Sequence, residues 1–172
     1  GVSIGTQTEV PLVRVGNYSR FRPEILEMAH RQGAKLTPVS SKASDGLILN
    51  TEDVAATFGD AQLAQFQKFA PYIVEVELGG TAVTNASFDT LSTLPPLRAI
   101  PLERTAVTGD GLSKLAALSQ LTYLNLSGTK VTKTALAPLD SMKNLRHVYI
   151  YNTPAQPAPV AASTHAVARN MP

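Results

Sequence analysis

Apolar residues along this chain recur at a fixed interval. Starting at Ile73 and stepping by 24 gives Leu97, Leu121 and Leu145. Three places on stand Val76, Ile100, Leu124 and Val148, and two further on Leu78, Leu102, Leu126 and Ile150. A column of Thr81, Thr105, Thr129 and Thr153 follows, then Val83, Val107, Val131 and Ala155. The second half of each unit aligns Phe88, Leu112 and Leu136, then Leu91, Leu115 and Leu139, then Leu94, Leu118 and Met142. Eight columns held in register without a gap are the signature of a repeat architecture, in which each unit buries its apolar face only by stacking on the next.

Within a unit the columns predict two elements. The stretch from Val76 to Leu78 and its equivalents alternates, which fits a short strand with one face buried. The later apolar residues, such as Leu112, Leu115 and Leu118, are spaced by three, which fits an outer helix or a tighter 3₁₀ segment. Thr84, Thr108 and Thr132 precede those segments and are expected as N-caps. The buried Thr81 column is expected to satisfy loop backbone groups. Pro101 falls inside a predicted strand, where its missing N–H marks a local irregularity.

One unit upstream runs one residue out of phase. Leu63, Phe66 and Phe69 precede Phe88, Leu91 and Leu94 by 25, and its strand is expected from Gly46 to Asn50. It reads as the N-terminal cap of the stack. Residues 1–45 lie outside the repeat and predict a small α/β extension: a strand over Glu9–Val15, a helix over Pro23–Gln32 stopped by Gly33, and a strand over Lys35–Val39. Residues 46–153 form the repeat region, and the Ala- and Pro-rich stretch 154–172 reads as a tail.

Segments such as LTYLNLSGTKVTKTALAPL and LERTAVTGDGLSKLAAL resemble the LxxLxLxxTxVTDxGLxxL units of bacterial leucine-rich-repeat proteins. The succession RQGAKLTPVS, GLILN, FGDAQLAQF and full repeats resembles the C-terminal region of bacterial proteins that carry a c-type cytochrome domain upstream, with repeats described as ribonuclease-inhibitor-like. The likeness spans roughly residues 22–156. It implies an α/β leucine-rich-repeat solenoid, with a parallel sheet on the concave face and helices or 3₁₀ turns on the convex face. It also implies a longer, exported natural protein, periplasmic or extracellular, in which this region is an interaction module. The chain has no cysteine, hence no CxxCH motif for covalent haem.

Composition narrows the function. Hydrophobic residues make up 44% of the 172, aromatics only 6%, so the core must be aliphatic. Net charge is +2 with no basic run, which argues against nucleic acid. No stretch approaches the roughly 18–20 apolar residues of a membrane span. His30, His147 and His165 lack ligand spacing, and neither a GxSxG elbow nor a phosphate-binding glycine loop occurs. No metal, cofactor or catalytic residue is expected, and the chain reads as a non-enzyme.

Alternation places Glu75 and Glu77, then Ala99, Pro101 and Glu103, then Tyr123, Asn125 and Ser127, then His147, Tyr149 and Tyr151 on the open sheet face. The face drifts from acidic to aromatic. Glu103, Tyr123, Asn125, His147, Tyr149 and Tyr151 are the expected partner-binding residues, because tyrosine and histidine combine contact area with a polar tip. Glu75, Glu77 and Glu103, with Arg104 nearby, are expected to form a solvated, salt-bridged surface, since a short open sheet supplies no cleft for carboxylate-pair hydrolysis. The expected partner is a protein, and the resemblance to the cytochrome-associated repeat proteins implies a subunit of an exported redox or envelope complex. The alternative is a structural subunit of a membrane-associated assembly, held through its termini.

Overall fold

The computed structural model describes Glu27 and residues 30–41 and 45–157. The strand expected over Glu9–Val15 and residues 158–172 lie outside these. So does most of the helix expected over Pro23–Gln32, within which Glu27, His30 and Arg31 are helical.

The fold is α/β, built on one six-stranded sheet whose spatial order equals chain order. The strands are β1 (Lys35–Pro38), β2 (Leu47–Asn50), β3 (Ile73–Glu77), β4 (Ala99–Pro101), β5 (Tyr123–Asn125) and β6 (His147–Tyr149). Only β1 and β2 are antiparallel; every later pair is parallel. From β3 onward the pairing keeps the period of the sequence: Glu75 pairs with Ala99, Ala99 with Tyr123, and Tyr123 with His147. The return segments carry the helices α1 (Asp60–Ala64) and α2 (Ser87–Leu91), and 3₁₀ helices over Gln65–Phe69, Leu112–Ala117 and Thr134–Ser141. A further 3₁₀ segment, Glu52–Thr57, follows β2.

The columns read from the sequence are the core. Val76, Ile100 and Leu124 are fully buried, as are Leu78, Leu102 and Leu126 one step along. Phe88, Leu91 and Leu94 close the opposite side. Phe58, Phe66 and Phe69 fill the first unit, with ring centroids 6.1 and 6.5 Å apart. Leu136 departs from its column and is only partly buried, in a segment that contains Pro138 and winds as 3₁₀ helix.

The threonine column behaves as expected. The hydroxyls of Thr81, Thr105, Thr129 and Thr153 donate to the carbonyls of Leu78, Leu102, Leu126 and Ile150 at 2.6–2.8 Å. Each closes the turn leaving a strand, and the Leu78 and Leu126 carbonyls also accept from Thr81 and Thr129 N–H at 3.2 Å. The capping threonines need a correction. The hydroxyls of Thr84 and Thr108 accept from Ala86 and Asp110 N–H, ahead of helices that begin after Ala86 and Gly111, so they close approach turns, whereas Thr132, one residue before the N-cap position Lys133, accepts from Ala135 N–H inside the first helical turn.

Pro101 has the expected effect. Its carbonyl accepts from Leu78 N–H, so its backbone edge faces β3, where it has no N–H to give. The β3–β4 ladder is reduced to the single pair Glu75–Ala99, against three pairs on either side of β5.

Another column adopts the left-handed region: Gly80 at φ 70°, Arg104 at 56°, Gly128 at 70° and Asn152 at 56°. This conformation turns the amides of Gly80, Arg104 and Gly128 onto the carbonyls of Glu103, Ser127 and Tyr151 in the next unit. Glycine reaches it freely, whereas a side chain meets the following carbonyl at a cost of about 1–2 kcal/mol. Arg104→Gly is therefore expected to stabilise the fold by up to about 1 kcal/mol in urea denaturation. Leu124→Ala, in the middle of the spine, is expected to cost about 2–5 kcal/mol by the same measurement.

Candidate functional site

The face of β2–β6 opposite the core carries the half-buried and exposed side chains. It divides into two neighbouring parts.

The first is aromatic. Tyr123 on β5 and Tyr149 on β6 have ring centroids 5.3 Å apart at 50°, and His147 stacks on Tyr149 at 6.5 Å and 9°. Parallel pairing brings them together, since Tyr123 stands opposite His147 and Asn125 opposite Tyr149. Burial among these rings pushes the Tyr123 phenol above its ordinary pKa; Asn125 opposes this by hydrogen bonding, and Glu103 adds to it through its charge. The phenol therefore stays protonated as a donor at neutral pH. Asn125 spends its side-chain carbonyl on Ser127 N–H at 3.0 Å, so it acts mainly in shaping the end of β5. Tyr151 lies past the end of β6 and is 67% exposed, the one large exposed hydrophobic residue among those described.

The second part is acidic, and here the structure corrects the expected solvated, salt-bridged surface. A cleft of about 490 Å³ opens between Asn50, Glu52, Ala55, Glu77, Gly79, Gly80, Glu103 and Arg104. Glu103 belongs to this cleft and not to the aromatic cluster. Among the described residues the ion pairs join Arg31 to Glu27, Lys35 to Asp53 and Lys114 to Asp89, and none joins Arg104 to these carboxylates. Glu103 Oε2 is buried and has no hydrogen-bond partner among the described residues. Burial raises the Glu77 carboxyl above the ordinary carboxylate value, and repulsion from Glu103, Glu75 and Glu52 raises it further.

Glu103 takes its place in this lining because position 79 is glycine. Gly79, Glu103, Ser127 and Tyr151 occupy the same place in successive units. A Cβ at Gly79 would lie 2.5 Å from Glu103 Oε1, so the missing side chain makes the space that Glu103 leans into. The sequence places Gly79 and Glu103 in one column but does not show that Glu103 leans over it. Glu52 is different: it sits in the unit whose spacing is irregular, so the period could not bring it to the face.

Among the described residues no group of three or more His, Asp or Glu is placed to hold a metal ion, and no helix is long and apolar enough to cross a membrane. No protein-family model matches the chain, and the search of curated proteins found no match.

The Glu77 shift has a definite sign. With its pKa raised, the folded chain holds that proton more tightly than the unfolded chain does. The group's contribution to stability is complete below the ordinary value of 4.5 and is lost as pH rises through the raised value. Glu77→Gln is expected to raise the urea midpoint at pH 7. The gap from the parent should shrink as pH falls below 4.5, which paired denaturation curves across pH will check.

Proposed function

We propose that this chain is a short leucine-rich-repeat solenoid that works as a protein-docking module, with the sheet face as its binding surface. The observation that carries the reading is the contact cluster of Tyr123, His147 and Tyr149 beside the exposed Tyr151, on the face directed away from the core. Aromatic rings with polar tips present large contact area while losing little rotamer freedom on binding, and they are enriched where interfaces concentrate their affinity. The support is physical: the fully buried columns leave the sheet's other face as the broad surface on which side chains of several strands converge. The resemblance to bacterial leucine-rich-repeat proteins supports an exported setting, with a subunit of a redox or envelope complex as the partner.

The test is photo-crosslinking in an extract of the native host. A benzoylphenylalanine in place of Tyr151 is expected to capture a discrete protein, and the same probe in place of Lys114, on an outer 3₁₀ helix, is expected to capture none. His147→Ala with Tyr149→Ala should abolish the adduct while leaving the circular dichroism and melting transition near those of the parent. An adduct that survives the double substitution would contradict docking through this face.

A further inference from the structure

The acidic cleft and the aromatic cluster lie side by side, which restricts what the face can receive. The cleft is lined by three carboxylates, Glu52, Glu77 and Glu103, against one guanidinium, that of Arg104. This local excess of negative charge stands on a chain whose net charge is +2, so it reflects segregation of charge onto the face and not bulk composition. Glu103 Oε2 is buried with no donor to meet it among the described residues. A desolvated carboxylate oxygen costs free energy until an N–H or O–H reaches it. The cleft, about 490 Å³, is open to solvent on one side.

A complementary ligand is cationic and rich in donors. Since no described group of three or more ligating side chains is placed for a metal ion, an organic cation is the better match. Guanidinium fits best, because its fork of N–H groups can serve two carboxylates at once. The cleft is formed at β2–β4 and the rings stand on β5 and β6. Two strand spacings separate Glu103 from Tyr149 and three separate Glu77 from it, about 10–14 Å. An extended peptide advancing about 3.3 Å per residue crosses that distance in about three to four residues.

We propose that the face binds an extended peptide segment whose arginine side chain enters the Glu77–Glu103 cleft, while an aromatic side chain three residues further on rests against Tyr123 and Tyr149. This builds on the docking reading and specifies the chemistry of its partner. Glu103 and Glu77 supply the acceptors, Gly79 the space over which Glu103 leans, and the tyrosines the apolar shelf.

The probe is an alanine-based peptide carrying arginine and, three positions on, tyrosine. It is titrated to millimolar concentration into the isotopically labelled full chain and followed by amide chemical shifts. Saturable shifts are expected at Gly79, Gly80 and Glu103 together with Tyr123 and Tyr149. Norleucine in place of the peptide's arginine should weaken binding by about tenfold or more, and added salt should weaken the arginine peptide selectively. Glu77→Gln with Glu103→Gln should reproduce the norleucine effect, and the norleucine peptide provides the comparison with the protein itself unaltered. Equal binding of the two peptides, or no shifts at the cleft residues, overturns the proposal. The crosslinking assay separates the two readings. An adduct lost in the His147/Tyr149 variant but retained in the Glu77/Glu103 variant leaves docking intact and overturns the role of the cleft. An adduct retained in both overturns docking as well.

Discussion

Burial of one aliphatic spine is the constraint on which everything else depends. Val76, Ile100 and Leu124, and beside them Leu78, Leu102 and Leu126, are excluded from water only because each unit covers the next. A strand of three residues with a single 3₁₀ turn behind it cannot bury a leucine alone. Paired side by side in one parallel sheet, the same elements shield one another, and the period of 24 becomes the register of the sheet from β3 to β6. That register then fixes which side chains meet on the open face. Tyr123 meets Tyr149 because their strands are neighbours with Tyr123 opposite His147, not because any local motif joins them.

Polar detail serves the same stacking. The threonine column ties each strand to its exit turn through a hydroxyl–carbonyl bond, and the left-handed column beside it carries backbone amides across to the next unit. Glycine fills that second column at positions 80 and 128, but arginine stands at 104. The strain at Arg104 coincides with the edge of the acidic cleft, as does the gap left by Gly79. Departures from the repeat and the chemical features of the face are therefore found at the same place, where the repeat's own rules would have put a glycine or a larger side chain.

Much of this was legible in the sequence, because a period kept over four units encodes stacking directly. The core columns, the short alternating strands, the outer segments of mixed α and 3₁₀ type, and the irregularity at Pro101 all follow from spacing and residue type. So does the gathering of Tyr123, His147 and Tyr149, since alternation gives their face and the period gives their register. What spacing does not carry is depth. Nothing in the pattern distinguishes a flat acidic surface from a cleft, because that depends on Glu103 leaning over Gly79 and on Glu52 arriving from the 3₁₀ segment after β2. The N-cap expectation for Thr84, Thr108 and Thr132 missed by two, three and one residues, because a short hydroxyl turn and a helix start look alike in sequence.

The most direct measurement is a set of methyl nuclear Overhauser contacts in the labelled full chain. Stacked units predict cross-peaks from Leu102 to Leu126 and from Leu126 to Ile150, with all three methyl groups shielded from a soluble paramagnetic probe. Missing cross-peaks between those side chains, or bleaching of their signals by the probe, would contradict a shared spine and the face that it organises.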